Sequence, residues 1–189
     1  MFTRLSLSLI TVVALTIGQP ARADDSTTPT TADALRWSLD TPRGETISFP
    51  HAHEGPVILL FWASWCPFCK ALMPHLQSLG YEYPTDELSI YAISIRDDGD
   101  PLAFMQAQGY DFTLLFDGDD VAAAYGVHAT PGLLIFDRDN RLVLNLYDVM
   151  ERYNREFRLP DGLGNRQKAA RKAPWWAAQI RRALDGLSD

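Results

Sequence analysis

Two cysteines are the residues of this chain best suited to covalent chemistry, and only two residues separate Cys66 from Cys69. An apolar run of strand length, residues 56–62, precedes them, and a stretch with leucines at helical spacing follows them. The pair therefore lies where a buried strand is followed by a helix, with Pro67 suited to the first helical turn. The N–H groups and the partial positive charge at a helix N-terminus stabilise a thiolate. We therefore expect Cys66, at the exposed start of the turn, to attack disulfides, and Cys69 to resolve the mixed disulfide.

Two other uses of the cysteine pair are weaker predictions. A purely structural disulfide would close a ring of about four residues and would stabilise the fold by roughly 2 kcal/mol, because so short a loop loses little entropy. A zinc site would need two more ligands, for which His51 and His53 are the nearest candidates. Histidines in a polar turn are more often solvated side chains. Redox chemistry is therefore the favoured prediction, and no metal is expected.

The N-terminus has the pattern of an export signal. Arg4 supplies the positive region, residues 5–17 form an apolar segment, and residues 21–23 read Ala-Arg-Ala, which is a cleavage pattern. The apolar segment is too short to span a bilayer. We predict a signal peptide over residues 1–23 and a flexible leader over residues 24–33, which places the mature chain in a disulfide-permissive compartment, the periplasm. The alternative is an uncleaved segment that anchors the chain to the membrane.

Charge is divided unevenly along the chain, whose formal net charge is -7. Residues 24–150 hold 6 Lys or Arg and 19 Asp or Glu, whereas residues 151–189 hold 9 and 5. An acidic body argues against nucleic acid as a partner. The basic segment is predicted to be a solvated loop before a last helix that covers the sheet. The alternative is docking of this segment onto an acidic partner or an anionic membrane surface.

Hydrophobic periodicity predicts an alternation of strands and helices. The predicted strands are residues 34–39 and 46–49, which form a hairpin, and residues 57–61, 88–95, 113–116, 133–136 and 142–146. The predicted helices are residues 67–79 with a kink at Pro74, residues 101–108 with caps at Asp100 and Gly109, and residues 119–125 and 174–187. This order predicts an α/β fold with a central mixed sheet flanked by helices, an N-terminal β-hairpin and a C-terminal helical extension.

The cysteine motif and several later residues resemble the thioredoxin superfamily and, within it, the exported TlpA/ResA-like branch of thiol–disulfide oxidoreductases. The residues that carry the resemblance are 61–70, Pro74, Asp117, 121–127, 129–131 and 136–140. They combine Trp-Cys-x-x-Cys with a later Thr-Pro at this separation. We therefore place a thioredoxin-like domain at residues 34–147, followed by a basic loop and a C-terminal helix over residues 148–189.

The resemblance also implies the surroundings of the cysteines. It implies that the peptide bond between Thr130 and Pro131 is cis and lies beside the sulfurs. Proline offers no N–H to a neighbouring sulfur, and the backbone of Thr130 can pair with an extended substrate strand. Trp65 and Phe68 are expected to receive the client, and Trp65 also has an ordinary packing interpretation. Lys70 either stabilises the thiolate or is a solvated lysine.

Two positions depart from the family pattern. Thioredoxins carry a buried acid six residues before the first cysteine, where this chain has Leu60. Some ResA-like proteins carry a glutamate three residues after the second cysteine, where this chain has Leu72. Either water or an acid elsewhere then accepts the proton of Cys69, or Cys69 deprotonates slowly. The dipeptide Pro67-Phe68 is neither the Gly-Pro of thioredoxins nor the Pro-His of DsbA, and it tunes the reduction potential.

These observations together predict an exported thiol–disulfide oxidoreductase that reduces client disulfides through Cys66 and Cys69 and needs no other cofactor. The resemblance implies that a membrane thiol reductase supplies electrons and that clients include apocytochromes c or copper-site assembly factors. Two alternatives stay open. One is a DsbA-like oxidase that runs the same exchange in reverse. The other is a redox-gated binding module or chaperone that holds clients without turnover.

Overall fold

The computed structural model describes residues 35–51, 55–83 and 87–187. The strands are β1 Trp37–Asp40, β2 Thr46–Phe49, β3 Val57–Trp62, β4 Ser89–Ser94, β5 Thr113–Leu115, β6 Gly132–Phe136 and β7 Leu142–Asn145. The helices are α1 Pro67–Glu82, α2 Pro101–Gln108, α3 Asp119–Ala124, α4 Leu146–Glu156 and α5 Asn165–Asp185. The predicted signal peptide, the predicted leader and His53 lie outside the described residues.

A five-stranded mixed sheet forms the centre of the fold, in the order β5-β4-β3-β6-β7. Strand β3 is its middle strand and pairs parallel with β4 and antiparallel with β6. Every residue of β3 is buried. Alternate side chains enter two cores: Ile58, Leu60 and Trp62 join one, and Leu59 and Phe61 are among those that join the other. An uninterrupted apolar strand is what burial on both faces requires, and the predicted α/β fold with a mixed sheet is confirmed.

Helix α1 begins directly after the turn that follows β3. Its buried side chains include Leu72, Met73, Leu76 and Leu79, whose spacing forms one helical stripe. Pro74 lies inside the helix and is exposed. The stripe fixes α1 against the sheet, and so the start of α1 has a defined place at the end of the central strand.

The N-terminal hairpin of β1 and β2 is confirmed as a separate two-stranded sheet. Its inner residues cover the core on the face of the large sheet away from α1. Trp37 stacks on Phe49 with ring centroids 5.4 Å apart, and Phe49 meets Phe136 of β6 at the same separation. Both faces of the sheet are therefore covered, as strands that are apolar on both faces require.

The C-terminal part of the chain corrects the predicted solvated loop before a helix at residue 174. Helix α4 starts at Leu146, which was predicted to be the last residue of a strand, and α5 starts at Asn165. Leu146, Val149 and Tyr153 are the buried residues of α4, at helical spacing, so its basic residues lie on the solvent side. The structure places Pro174 in the interior of α5. Proline suggested a helix start, and that cue was misleading here.

Helix α5 packs along α1 and extends the core on that face. Its buried residues include Ala173, Trp176, Ile180 and Leu184, which belong to the same apolar cluster as both cysteines. The extension is therefore an integral layer of the domain, packed directly against the helix that carries the cysteines.

Among the described residues, no helix is long and apolar enough to cross a membrane.

Candidate active site

Cys66 occupies the N-cap of α1, and its sulfur takes the place that a serine or aspartate oxygen usually holds. The Sγ atom accepts a hydrogen bond from the backbone N–H of Cys69 at 3.3 Å. On its other side, the thiol donates to the carbonyl oxygen of Thr130 at 3.4 Å. Both cysteines are free thiols in this structure. The bond from Thr130 to Pro131 is cis, as the resemblance implied.

The burial of the sulfurs corrects one expectation. Cys66 is only 2% exposed and Cys69 is fully buried. The prediction that Cys66 is exposed at the start of the turn is therefore wrong. The turn closes tightly, because the N–H of Cys66 donates to the carbonyl of Ala63 at 3.0 Å, and Thr130 contacts the sulfur from the facing loop. The exposed residue of the motif is Trp65, at 54%. A client must therefore contact this indole and the facing loop to reach the sulfur.

The two thiols differ strongly in acidity. Hydrogen bonds lower the pKa of Cys66 to about 6: the side chain of Cys69 contributes most, with further contributions from Thr130 and from the backbone of Cys69 and Phe68, against the opposing effect of burial. Burial raises the pKa of Cys69 well above the ordinary thiol value, and the neighbouring Cys66 thiolate adds to the rise. At neutral pH the pair is one thiolate beside one thiol that can donate to it.

Trp65 is held at the rim of the site by the end of strand β4. Its indole N–H donates to the carbonyl of Arg96 at 3.0 Å. The adjacent Ser64 donates to the carboxylate of Asp97 through both its N–H and its hydroxyl. A cavity of about 700 Å³ lies next to this wall, lined by Trp65 together with acidic residues that include Asp98 and Asp117.

The remaining predicted site residues lie on or near the first turn of α1. Pro67 is its first residue. Phe68 is half-buried, and its ring centroid lies 6.1 Å from that of Trp176 in α5. Lys70 is exposed and places its Nζ 5.0 Å from the ring centroid of Phe104 in α2. This contact holds the ammonium over an aromatic face.

The two positions at which the family resemblance would place an acid hold buried leucines in this chain. Leu60 and Leu72 are both fully buried in the cluster that contains the cysteines. Neither can take a proton from Cys69. The raised pKa of Cys69 agrees with this apolar setting, since desolvation is its largest cause.

The histidine considered as a zinc ligand lies in a different part of the fold. His51 contacts Tyr91, whose hydroxyl lies 3.2 Å from the ring Nε2, and its ring packs near Phe49. Both neighbours belong to the core opposite the one that holds the cysteines. Within residues 35–51, 55–83 and 87–187, no three His, Cys, Asp or Glu side chains are grouped as a metal site would need.

Two residues near the sulfurs were not predicted from the sequence. Arg96, at the end of β4, donates from Nη1 to the carbonyl of His128 at 3.1 Å and also accepts from Trp65. Tyr147, in the first turn of α4, makes two hydrogen bonds to Ala129, next to Thr130. No spacing in the sequence points to either residue, because their partners are backbone atoms distant along the chain.

The profile of the AhpC/TSA family matches residues 30–144. The thiol-disulfide oxidoreductase ResA of Halalkalibacterium halodurans is 27% identical over 143 residues, which is 72% of this chain and 81% of that protein. An uncharacterized conserved protein from Geobacillus kaustophilus is similar in structure, with a TM-score of 0.61, 26% identity and coverage of 82% of this chain and 79% of that one.

A second solved structure agrees in fold. It is the thioredoxin domain of a thiol-disulfide oxidoreductase from Bacteroides vulgatus, with a TM-score of 0.55 and 19% identity. The alignment covers 66% of this chain and 96% of that domain. The thioredoxin-like fold expected from the cysteine motif is therefore confirmed.

Proposed function

The chain belongs to the AhpC/TSA family, and from that membership we propose that it is an exported thiol–disulfide oxidoreductase that reduces client disulfides through Cys66 and Cys69. The observation that carries the proposal is the split acidity of the pair at the helix N-terminus. The pKa of Cys66 is lowered to about 6 while that of Cys69 is raised. One sulfur is thus ready to attack, and the other keeps its proton until it is needed.

The reaction proceeds by two exchanges. The Cys66 thiolate attacks one sulfur of the client disulfide, the client S–S bond breaks, and the second client sulfur leaves as a thiolate. Cys69 then gives its proton to that thiolate or to water and attacks the Sγ of Cys66. The mixed disulfide breaks, the client leaves with both sulfurs reduced, and the protein keeps the two oxidised sulfurs as a Cys66–Cys69 disulfide.

The pKa of Cys66 is lowered only moderately, which supports reduction as the proposed direction. A low thiol pKa stabilises the reduced protein and makes its disulfide a stronger oxidant. The value of about 6 for Cys66 lies nearer the roughly 7 of thioredoxin than the roughly 3.5 of the oxidase DsbA. The DsbA-like alternative would require a potential near that of DsbA in equilibrium with glutathione.

The partners follow from the same proposal. Each turnover oxidises the dithiol by two electrons, so a thiol reductant must restore it, and a membrane thiol reductase is the proposed donor. Proteins bearing disulfides are the clients, with apocytochromes c and copper-site assembly factors as candidates. The pattern of residues 1–23 supports export to the periplasm with cleavage of a signal peptide. If the segment is not cleaved, it would anchor the chain to the membrane.

The decisive experiment compares Cys66→Ser with Cys69→Ser. We expect the purified chain to reduce insulin disulfides with dithiothreitol as donor, and both variants to lose this turnover. In the producing cells, Cys69→Ser should accumulate covalent complexes with clients, because the mixed disulfide on Cys66 is not resolved, and Cys66→Ser should form none. If both variants reduced insulin fully, the proposal that the chain is a thiol–disulfide oxidoreductase would be overturned. If neither variant formed covalent complexes with clients, a binding module or chaperone would be favoured.

A further inference from the structure

The loop that faces Cys66 is fixed by a side chain from beyond the residues that the family profile matches. The hydroxyl of Tyr147 donates to the carbonyl of Ala129 at 2.6 Å and accepts from the N–H of the same residue at 2.9 Å. One phenol therefore satisfies both backbone groups of a residue that is itself exposed. The ring of Tyr147 also lies 4.6 Å from that of His128, centroid to centroid.

Tyr147 is well placed to act as a rigid support. It is the second residue of α4, and its N–H donates to the Asn145 side chain at the N-cap. The neighbouring Leu146 is fully buried and Val149 nearly so, which anchors the first turn of α4 in the core. Tyr147 lies beyond residue 144, where the family match ends.

The same loop is fixed from the opposite side by Arg96. The guanidinium of Arg96 donates to the carbonyl of His128. The backbone carbonyl of Arg96 accepts from the indole N–H of Trp65. His128 and Ala129, the two residues before Thr130, are therefore tethered to different elements. Thr130 follows directly and keeps the contact with the Cys66 sulfur.

We propose that Tyr147 is a positioning residue for the reaction, which holds Thr130 over the Cys66 sulfur by clamping both backbone groups of Ala129. The inference rests on the proposed function, and it adds to that function a residue from the first turn of helix α4. Because the clamp occupies the N–H and the carbonyl of Ala129, the loop pairs with a client strand through the backbone of Thr130, whose carbonyl is released when Cys66 loses its proton.

The clamp has a measurable consequence for the acidity of Cys66. A hydrogen bond from the side chain of Thr130 is one of the causes that lower its pKa. When the clamp is lost, Thr130 is free to move away from the sulfur, and the thiolate loses a partner. Loss of one hydrogen bond to a charged group corresponds to a rise of about one pKa unit, and so to about tenfold less thiolate below the titration midpoint.

The test is Tyr147→Phe, which keeps the ring and removes the hydroxyl. Its matched control is Tyr125→Phe, because the hydroxyl of Tyr125 bonds the N–H and the carbonyl of Leu35 in the same two-way manner, at 3.0 and 3.3 Å. The pH dependence of iodoacetamide alkylation of reduced protein gives the pKa of Cys66. We expect a rise of about one unit in Tyr147→Phe, a higher KM for insulin, and wild-type values in Tyr125→Phe.

A second variant, Tyr147→Leu, also lacks the hydroxyl and must raise the pKa of Cys66 as well. The positioning role is overturned if both variants titrate like the wild type, or if Tyr125→Phe raises the pKa equally. The proposed function fails in a different way, namely if the wild-type chain itself does not reduce insulin. The wild-type assay therefore separates the two failures.

Discussion

At the scale of single residues, Cys66 and Cys69 have opposite environments although they are one helical turn apart. Both belong to one apolar cluster, but the sulfur of Cys66 accepts from the N–H of Cys69 and its pKa is lowered, while burial is the largest cause that raises the pKa of Cys69. The first setting favours a charged sulfur and the second a neutral one. These surroundings support the proposed division of attack and resolution between Cys66 and Cys69, and that division requires no acid on the neighbouring strand or helix.

The lowered pKa of Cys66 predicts how the stability of the reduced protein depends on pH. Its folded pKa of about 6 lies below the roughly 8.5 of an unfolded thiol. The thiolate therefore contributes its full stability above the unfolded value, and this contribution is lost as the pH falls through the folded value. Between these limits the free energy of unfolding should fall by about 1.4 kcal/mol for each unit of acidification, roughly 3 kcal/mol in total.

Urea unfolding of the reduced chain at several pH values measures this slope. The matched control is Cys66→Ser, in which the contribution of Cys66 is absent and the corresponding slope should disappear. Cys69 stays protonated in the folded protein and ionises in the unfolded chain only near the ordinary thiol pKa of roughly 8.5, so the slope is measured below about pH 7.5. Equal slopes in the reduced wild type and in Cys66→Ser would contradict a stabilised thiolate.

At the scale of elements, patterns local in sequence were predicted well and long-range effects were not. The N-cap Asp100 and the C-cap Gly109 of α2 are confirmed, since Asp100 bonds the N–H of Ala103 at 2.8 Å and Gly109 has a φ of 69°. Caps need only adjacent residues. Helix α4 was missed because its buried apolar stripe has only three residues, and the first of them, Leu146, was assigned to the preceding strand. The burial of Cys66 depends on a loop 64 residues further along the chain.

The packing of α5 on α1 predicts a large effect for one tryptophan. Trp176 is 2% exposed and its ring lies beside that of Phe68, within the cysteine motif. Trp176→Ala should lower the free energy of unfolding by about 3–5 kcal/mol, because it leaves a cavity between the two helices. Among the described residues no acceptor faces the indole N–H, so Trp176→Phe removes an unpaired donor and should cost less.

Urea denaturation of the oxidised protein measures both Trp176 variants. Trp175→Ala is the comparison at the adjacent position, since Trp175 is half-buried and packs on Tyr153 and Phe157. We expect its cost to be smaller than that of Trp176→Ala. If Trp176→Ala unfolded at the same urea concentration as the wild type, α5 would not be the integral layer that the packing indicates.

At the scale of the whole molecule, the site lies in an acidic body followed by a basic extension. The cavity beside Trp65 is lined by several aspartates, while the excess of Lys and Arg lies at residues 151–189. Charges of one sign around a cleft raise the local concentration of oppositely charged partners. The charge distribution therefore favours clients whose disulfides are flanked by Lys or Arg, and this preference acts on the rate of encounter.

This preference can be tested with two disulfide peptides that differ only in flanking Lys or Glu. At low salt we expect the Lys peptide to be reduced about tenfold faster, and the ratio to fall towards one as salt screens the charges. Asp98→Asn with Asp117→Asn should narrow the ratio, and Asn suits the positive φ of 55° at Asp117. Glu151→Gln with Asp161→Asn removes the same charge from the extension and should leave the ratio unchanged. Equal rates for the two peptides at low salt would show that the field of the acidic body does not select clients.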